Sequence, residues 1–269
     1  MEYLSLQFYP QNCQAVKKLN PPLNQSLDNN KLVFYYQNTR SLKNKLDQIA
    51  QNIHLLTVSP HILVFTETWL SDMIPSNSLQ LHDYNIFRLD RNSTNSSYQR
   101  GGGVLIGVKS HLNAVSCIIS PTSCEHTFVL LTLKHMRIII GVIYIPQYAQ
   151  YDTIVYQEHV TVVEELKTKY PDAHLCLFGD FNLPHLNWTS SGSLNFELIS
   201  TPDKKIHNAA KVLLDSFALY NLKQFFPHNP SKNYTLDLFF SSLDFVSESP
   251  LEPLVNIDAN NYLQIFTLR

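Results

Sequence analysis

Short apolar runs separated by polar turns dominate the chain and predict more strands than helices. The strand-like runs cover residues 32–37, 61–66, 84–89, 103–108, 114–119, 127–133, 138–145, 175–178, 222–226, 235–241 and 262–268. Three segments instead repeat apolar residues at helical spacing, namely 42–56, 153–170 and 206–220. Ser41 is placed to cap the first of these helices.

The order of the elements favours an α/β sandwich, with sheets inside and helices outside, over a doubly wound parallel sheet or a barrel. Successive strand-like runs between residues 84 and 145 predict an antiparallel meander. Residues 1–30 carry several Asn, Gln and Pro without a clean period, which indicates a poorly ordered leader. We therefore expect one folded domain over residues 31–269.

Composition narrows the location and the partners of the protein. Its 269 residues contain no long uninterrupted apolar window and no basic start followed by an apolar core. Neither a membrane span nor a secretory signal is predicted, and we expect an intracellular protein, nuclear or cytoplasmic. The formal charge of -2 gives no global attraction for nucleic acid, so any such contact must be local.

Two kinds of residue bear on these expectations. The four cysteines lack metal-ligand spacing, so we expect reduced and mostly buried thiols at Cys13, Cys117, Cys124 and Cys176. Local nucleic-acid contacts have candidates in two basic segments, although scattered surface charge explains these residues at least as well. The candidates are Lys31, Arg40, Lys43, Lys45, Arg88, Arg91, Arg100 and Lys109.

Side chains able to do chemistry follow several predicted strands at the point where each ends. The tetrapeptide Gly179-Asp180-Phe181-Asn182 closes an apolar run, and open α/β sheets place their chemistry at such carboxyl ends. Asn38, Glu67 and Tyr144 are placed in the same way, and Asp237 lies inside an apolar strand. Because a buried carboxylate needs a partner or a shifted pKa, we expect Asp237 to have a partner.

Each of these residues also has an ordinary structural explanation. Asn38 can be a turn residue and Glu67 an acid at the start of a helix. Tyr144 can be an aromatic residue of the core and Asp237 an acid on an edge strand. The triplet Gly101–Gly103 fits a tight turn into a strand, or a backbone corner beside an active edge, since glycine tolerates positive φ.

Taken together and in order, the motifs resemble those of the endonuclease/exonuclease/phosphatase superfamily. They are Tyr-Gln-Asn38, Thr-Glu67-Thr-Trp-Leu, Arg100-Gly-Gly-Gly-Val, Tyr144-Ile-Pro, Gly-Asp180-Phe-Asn182 and Leu-Asp237-Leu. Within that superfamily, Tyr-Gln-Asn-Thr-Arg-Ser-Leu-Lys-Asn-Lys, Thr-Glu-Thr-Trp-Leu and Gly-Asp-Phe-Asn-Leu-Pro are most similar to the endonuclease domain of non-LTR (LINE-type) retrotransposons. The resemblance runs from about residue 31 to the C-terminus.

The resemblance implies an α/β (α+β) fold, a four-layer sandwich of two packed, mostly antiparallel β-sheets flanked by helices. It also implies a divalent-metal phosphodiesterase that nicks DNA, with Mg²⁺ as cofactor and Mn²⁺ as an alternative. We expect a monomer without membrane contact. Three origins stay open from the sequence, namely a solitary domain, a fragment of a longer element that carries a reverse transcriptase domain, and a decayed copy.

The implied roles suit the chemistry of the residues. Glu67 is a suitable ligand for a hard cation on a phosphate oxygen, and Asp180 is suited to orient the attacking water. Neutral donors such as the Tyr144 hydroxyl then meet the charge that develops on the phosphorane. Catalytic roles are implied for Asp180, Asn182, Tyr144, Asp237 and Asn38, metal contacts for Glu67, Asn38 and Asp258, and substrate contacts for Arg40 and Arg100.

One motif departs from the family pattern. The family normally carries an Asp and a His just before the last strand, with the acid at Asp237 orienting that His. Here Asp258 matches the late acid, and Asn260 or Asn261 occupies the His position, since all eleven histidines precede Asp237. Loss of an acid–base group costs typically about 10²–10⁴ in rate. We therefore expect a folded nuclease domain with weak or absent turnover.

Two alternatives stay open from the sequence. A phosphatase or sphingomyelinase of the same superfamily would share Glu67, Asp180 and Asn182, but the phosphatases usually carry a Trp before Gly-Asp and a late Pro-Ala-Trp-Cys-Asp-Arg run, and both are missing here. A non-catalytic module that binds nucleic acid or protein on the same fold is favoured by the missing His and opposed by the retained carboxylates.

Overall fold

The computed structural model describes residues 31–56, 58–96, 98, 100–184, 186–188, 194, 196–198, 204–227, 235–248, 254 and 263–268. The predicted leader, residues 1–30, lies outside this part of the chain. So do Asp258, Asn260 and Asn261, and with them the predicted departure from the family pattern.

The described elements follow the predicted order closely. The strands are β1 (Val33–Asn38), β2 (Ile62–Thr66), β3 (Tyr84–Leu89), β4 (Val104–Lys109), β5 (Asn113–Ser116), β6 (Glu125–Thr132), β7 (Arg137–Tyr144), β8 (His174–Asp180), β9 (Leu186–Trp188), β10 (Phe196–Leu198), β11 (Lys223–Gln224), β12 (Asp237–Ser241), β13 (Phe245–Glu248) and β14 (Leu263–Leu268). The helices are α1 (Leu46–Asn52), α2 (Thr153–Lys169) and α3 (Lys204–Leu219), with 3₁₀ turns at Leu42–Lys45, Ser76–Leu79 and Gln147–Ala149. None of the described helices combines the length and apolar character needed to cross a bilayer.

Two mixed six-stranded sheets form the centre of the fold. The first has the order β13-β14-β1-β2-β4-β3 and the second the order β11-β12-β8-β7-β6-β5, while β9 and β10 pair separately. Each large sheet has one parallel pair at its centre, β1 with β2 and β7 with β8. The remaining pairs are antiparallel, so the predicted sandwich of mostly antiparallel sheets is confirmed.

Aromatic rings fill the space between the two sheets. The ring of Phe178 on β8 stacks on that of Phe239 on β12, with centroids 3.9 Å apart and planes 4° apart. Phe34 of the first sheet packs against Phe178 at 5.5 Å, which joins the two sheets. Ile49 of α1 packs on the outer face of the first sheet, and α2 and α3 pack on the outer face of the second. This arrangement gives four layers.

The predicted meander between residues 84 and 145 is wrong in one respect, because its strands belong to both sheets. β3 and β4 form a hairpin in the first sheet, whereas β5, β6 and β7 form a meander in the second. The alternation of apolar and polar residues reports burial but not which sheet a strand joins. The short strands β9, β10 and β13 were not predicted, since runs of three or four residues carry little periodic signal.

The first predicted helix is shorter than its apolar spacing indicates. A 3₁₀ turn occupies Leu42–Lys45, and α1 ends at Asn52. Ser41 stands at the N-cap position of this turn, as predicted, but its φ is 81° and its side chain makes no capping hydrogen bond. By contrast, three of the cysteines are free and buried as predicted, namely Cys117, Cys124 and Cys176.

A buried pair of histidines joins β6 to α2. The Nδ1 atoms of His126 and His159 lie 3.0 Å apart, so one ring donates and the other accepts. Burial lowers the pKa of His126 to about 4, against an opposing effect from the Glu158 carboxylate. Burial, and then the neighbouring His126, lower the pKa of His159 well below its usual value. Both rings are therefore neutral in the folded protein near pH 7.

Replacing Phe178 by Ala should lower the free energy of unfolding by about 3–5 kcal/mol, because the ring is fully buried and stacked on Phe239. Urea denaturation followed by circular dichroism measures the change. The matched control is Leu219→Ala on α3, where the side chain is 77% exposed and the expected change is within about 0.5 kcal/mol. A loss below about 1 kcal/mol for Phe178→Ala would contradict the assigned core.

The histidine pair should make the fold sensitive to acid between pH 6.5 and pH 4. Below the unfolded-state pKa of about 6.5, the unfolded chain binds protons that the native rings do not, so the free energy of unfolding falls as pH falls. For His126 alone the loss from pH 7 to pH 5 is on the order of 1–2 kcal/mol. Urea titrations at both pH values measure it.

The control for this pH dependence compares slopes rather than absolute stabilities. The double variant His126→Gln/His159→Gln should show a flatter dependence on pH, while His135→Gln, which alters an exposed histidine, should keep the slope of the parent. An unchanged slope in the double variant would remove the pair as the cause.

Candidate active site

The strand ends predicted to carry chemistry meet at one edge of the sandwich. Parallel pairing sets Asn38 at the end of β1 opposite Thr66 at the end of β2, directly before Glu67. Parallel pairing likewise sets Tyr144 at the end of β7 opposite Asp180 at the end of β8. Each sheet therefore presents two adjacent strand ends at this edge.

Asp237 joins these four strand ends from a strand that runs in the opposite direction. Asp237 is the first residue of β12 and lies opposite Asp180 in the ladder. Because β12 runs between β11 and β8, the edge-strand interpretation of Asp237 is wrong. At Asp237 the described ladder partner is Asp180 of β8, since β11 pairs with Phe240 and Ser241, and the acid is 2% exposed.

The side chain of Asn38 connects the two sheets. Its Nδ2 donates to Glu67 Oε1 at 3.0 Å and to Asp180 Oδ2 at 3.3 Å. Its Oδ1 accepts from the backbone N–H of Arg40 at 3.2 Å. One uncharged amide thus contacts an acid from each sheet, and it fixes the distance between the two carboxylates.

Asp237 has the partner that its burial requires. The Tyr36 hydroxyl donates to Asp237 Oδ1 at 2.5 Å and lies 3.2 Å from Thr66 Oγ1. Tyr36 belongs to β1, so this contact also joins the two sheets. Sequence reasoning predicted that a partner exists but did not single out Tyr36, since a tyrosine in an apolar strand has no signal that separates it from other core aromatics.

Asn182 is held against Asp180 by its own backbone. Its N–H donates to Asp180 Oδ1 at 3.2 Å, and its Nδ2 donates to the carbonyl of Ile145 at 2.8 Å. The backbone of Asn182 adopts φ of 49°, a left-handed conformation that Asn tolerates better than most residues. The predicted pairing of an acid with an amide after β8 is therefore present.

Negative charge is concentrated at this edge. Burial, and then the nearby carboxylates of Asp237 and Glu67, raise the pKa of Asp180 well above its usual value. Burial, followed by the charges of Glu67 and Asp180, also raises the pKa of the Tyr144 hydroxyl. Tyr144 therefore stays protonated and is available as a hydrogen-bond donor, and a positive charge placed here would be favoured.

A buried ion pair beneath the glycine triplet was missed in the sequence. Arg91 Nη2 lies 2.6 Å from Glu125 Oε1, and Glu125 Oε2 accepts from the N–H of Gly103 at 2.6 Å. A Cβ atom on Gly102 would lie 2.1 Å from the same carboxylate, so the close approach requires glycine. The Arg91 guanidinium also lies 5.7 Å from the centre of the Tyr144 ring.

The glycine turn reaches the active edge through backbone hydrogen bonds. Trp69 N–H donates to the carbonyl of Gly102 at 2.9 Å, and Thr68 N–H donates to that of Gly103 at 3.2 Å. The turn is thus the backbone corner beside Glu67 that the sequence allowed. No motif pattern reveals Glu125, because an acid directly before an apolar run is typical of any strand start.

The basic residues divide into two groups. Arg40 follows β1 and is exposed, and the Arg100 guanidinium lies 5.4 Å from the centre of the Trp69 ring, so both predicted substrate contacts are near the edge. Arg88 pairs with Asp90, Arg91 with Glu125 and Lys109 with Asp83. For these three, an ion pair explains the charge.

Backbone strain also collects at this edge. Seven non-glycine residues in the described chain have left-handed φ, and five of them lie in the segments around the carboxylates. These five are Arg40, Ser41, Glu67, Trp69 and Asn182. Such conformations cost roughly 1–3 kcal/mol each and persist where the surroundings hold them, as is common at functional sites.

The donor set fits a hard cation held by few protein ligands. Within the described residues, no three His, Cys, Asp or Glu side chains are grouped as a metal centre. Mg²⁺ usually keeps several waters and binds one or two carboxylates together with substrate phosphate. Glu67 and Asn38 offer oxygen ligands of that kind at the electronegative edge, whereas the implied contact at Asp258 lies outside the described residues.

Comparison with solved structures identifies the same architecture. The catalytic domain of human Nocturnin is 12% identical with a TM-score of 0.59, covering 90% of this chain and 94% of that one. An AP endonuclease from Archaeoglobus fulgidus is 12% identical with a TM-score of 0.57, covering 88% and 99%. The endonuclease domain of TRAS1, a telomere-specific non-LTR retrotransposon, is 14% identical with a TM-score of 0.53, covering 88% and 98%.

At these identities the likeness concerns the fold alone, and none of the curated proteins compared with the chain matches it. A model of the Endonuclease/Exonuclease/phosphatase family, however, matches residues 35–255. That span begins in β1 and includes Asn38, Glu67, Tyr144, Asp180 and Asp237. The chain belongs to the Endonuclease/Exonuclease/phosphatase family.

Proposed function

We propose that this chain is a divalent-metal phosphodiesterase domain that nicks DNA, with turnover weakened by an asparagine in place of the family's late histidine. The observation that carries the proposal is the contact of the Asn38 amide with both Glu67 and Asp180, which brings the acids of the two sheets together. The neighbouring folds include a retrotransposon endonuclease domain and an AP endonuclease, which supports DNA as substrate.

The residues divide the work of phosphodiester hydrolysis between them. Asp180, held by Asn182 N–H, would orient the attacking water, and a cation beside it would offset its raised pKa so that the ionised carboxylate can accept the proton of that water. The protonated Tyr144 hydroxyl donates to the charge that develops on the phosphate oxygens. Asp237, fixed by the Tyr36 hydroxyl, sits behind this pair and keeps the edge electronegative.

A cation suits the site on electrostatic grounds. Glu67 and Asn38 would hold it, with Asp258 as a further proposed contact. When bound, Mg²⁺ or Mn²⁺ would supply positive charge beside the acids and polarise a phosphate oxygen. The Asn38 amide then positions Glu67, and its contact with Asp180 keeps the two acids at fixed spacing.

The absence of the family's late histidine accounts for the proposed weakness of turnover. The last histidine in the chain is His228, and the positions before β14 that would carry the family's His hold Asn260 and Asn261. An amide can donate a hydrogen bond to phosphate but does not transfer a proton near neutral pH. A reverse transcriptase domain in the parent element is the proposed partner of this nicking domain.

Restoring the histidine should increase activity. One of the two variants Asn260→His and Asn261→His is expected to raise Mg²⁺-dependent nicking of supercoiled plasmid by about 10²–10⁴-fold. The effective variant is the one that places the histidine where the family carries it after the acid at Asp258. The measurement is the rate of conversion to the open circle, with EDTA as the metal-free control. Robust nicking by the unmodified chain, unchanged by either substitution, would overturn the proposed impairment.

Removing the negative charge of Glu67 should strongly reduce the rate of nicking. In the more active of the two histidine variants, Glu67→Gln is expected to reduce the rate by at least about 10²-fold, because the carboxylate that holds the cation is lost. Glu165→Gln is the matched control, since Glu165 lies on α2 and contacts only Ser120 among the hydrogen bonds assigned to it. Equal rates for both variants would contradict the role of Glu67.

The missing histidine also favours a second candidate, a non-catalytic module that binds nucleic acid or protein. Isothermal titration calorimetry separates the two candidates. Uptake of Mg²⁺ or Mn²⁺ that disappears in Glu67→Gln supports the enzyme, whereas absence of metal uptake in the parent supports the binding module.

A further inference from the structure

Two tyrosines form an exposed aromatic pair beside the candidate active site. The rings of Tyr98 and Tyr148 have centroids 4.6 Å apart with planes tilted by 32°. Tyr98 is 56% exposed and Tyr148 is 53% exposed, whereas most of the aromatic side chains that the structure describes are buried. The pair therefore presents two adjacent aromatic faces to solvent, on which a flat ligand can stack.

Hydrogen bonds hold the loop that precedes Tyr98 in place. The Ser96 hydroxyl lies 3.0 Å from the Tyr148 hydroxyl and accepts from Tyr98 N–H at 3.1 Å. Earlier in the same loop, the Asn95 side chain accepts from Asn92 N–H at 2.9 Å and donates to the carbonyl of Asp90 at 3.0 Å. These contacts hold the two rings together before any ligand arrives, which lowers the entropic cost of binding.

A cleft of about 410 Å³ lies beside Tyr148 of the pair and extends to Tyr144 of the site. Its walls come from the loop 93–96, the start of β6 and the segment after β7, and they include both Tyr148 and Tyr144. Ligand pockets for small molecules have volumes of about 300–1,000 Å³, a range that includes the space required by one nucleotide. Because Tyr144 lines the cleft and the active edge alike, a ligand in the cleft is adjacent to the proposed scissile phosphate.

The lining chemistry matches a nucleobase better than an aliphatic side chain. Flat aromatic faces are bordered by hydroxyls, among them those of Ser93, Thr94 and Ser123. Two acids line the cleft: the carboxylate of Glu125 is paired with Arg91, and that of Asp152 accepts from Ile154 N–H at the start of α2. Since the formal charge of the chain is -2, long-range attraction for a polyanion is absent, and stacking would add to the local contacts proposed for Arg40 and Arg100.

We propose that Tyr98 and Tyr148 stack on an unpaired DNA base next to the nicked phosphate. Bases inside a duplex already use both faces for stacking, so only an unpaired base is free to occupy the pair. The inference rests on the proposed function, since it takes the substrate to be a nucleic-acid strand. It adds a preference for DNA with a flipped, bulged or single-stranded nucleotide at the site.

The test uses an Asp180→Asn form of the full chain, so that bound DNA stays intact. The probes are oligonucleotides containing 2-aminopurine, a fluorescent base quenched by stacking, presented as a single strand, as a one-base bulge and as a fully paired duplex. Binding is measured by anisotropy and stacking by 2-aminopurine fluorescence. Tighter binding and quenching with the single strand and the bulge than with the duplex are expected.

Substitution of the pair should weaken that binding selectively. Tyr98→Ala and Tyr148→Ala are each expected to raise the Kd for the bulged probe about 5–150-fold and to restore 2-aminopurine fluorescence, since stacking contributes about 1–3 kcal/mol per base. Tyr98→Phe keeps the ring and should bind like the parent. Tyr151→Ala removes an exposed tyrosine three residues beyond Tyr148 and should also leave binding unchanged. Thermal melts confirm that each variant is folded.

The outcomes separate this inference from the proposed function. Parent-level affinity and quenching in both alanine variants, or equal binding of bulged and paired probes, would overturn the stacking role even if nicking depends on Glu67. Conversely, loss of quenching in the alanine variants supports the stacking role even where Mg²⁺-dependent nicking is absent. Absence of nicking would then count against the proposed nuclease and not against the stacking role.

Discussion

Mutual repulsion among three carboxylates is the constraint on which the candidate site depends. Glu67, Asp180 and Asp237 lie at one edge of an apolar sandwich, where low polarity strengthens the repulsion between like charges. The fold stabilises them with neutral donors, the Asn38 amide, the Tyr36 hydroxyl and the backbone of Asn182. Such donors hold the geometry without supplying a positive charge, so the pKa of Asp180 is raised, and the edge suits a cation bound together with a phosphate.

The two sheets make this arrangement possible through their parallel central pairs. Parallel pairing places two strand ends side by side in each sheet, and face-to-face packing of Phe34, Phe178 and Phe239 sets the two pairs of ends together. The aromatic core and the acid cluster are therefore directly coupled. The rings of Tyr36 and Phe178 stack at 6.1 Å, and the hydroxyl of that tyrosine holds Asp237.

Local sequence signals predicted much of the fold and the strand-end residues of the site. Apolar runs ending in Asn38, Glu67, Tyr144 and Asp180 are visible because burial and chemistry change within one or two residues. The sequence did not show to which sheet each strand belongs. β4 and β5 lie in different sheets, yet only a three-residue turn separates them and their apolar patterns are alike. Pair interactions between distant residues, such as Arg91 with Glu125 across 34 positions, have no local signature either.

The left-handed backbone at Arg40, Ser41, Glu67, Trp69 and Asn182 sets a limit on how stable this protein can be made without altering its site. Glycine at any of the five would relieve local steric strain, yet it would also free the segment that aims a side chain at the edge. Selection for heat resistance and selection for a fixed arrangement of ligands therefore act in opposite directions on the same few residues. In a laboratory search for thermostable variants, gains at these positions would come at the expense of whatever chemistry the edge performs.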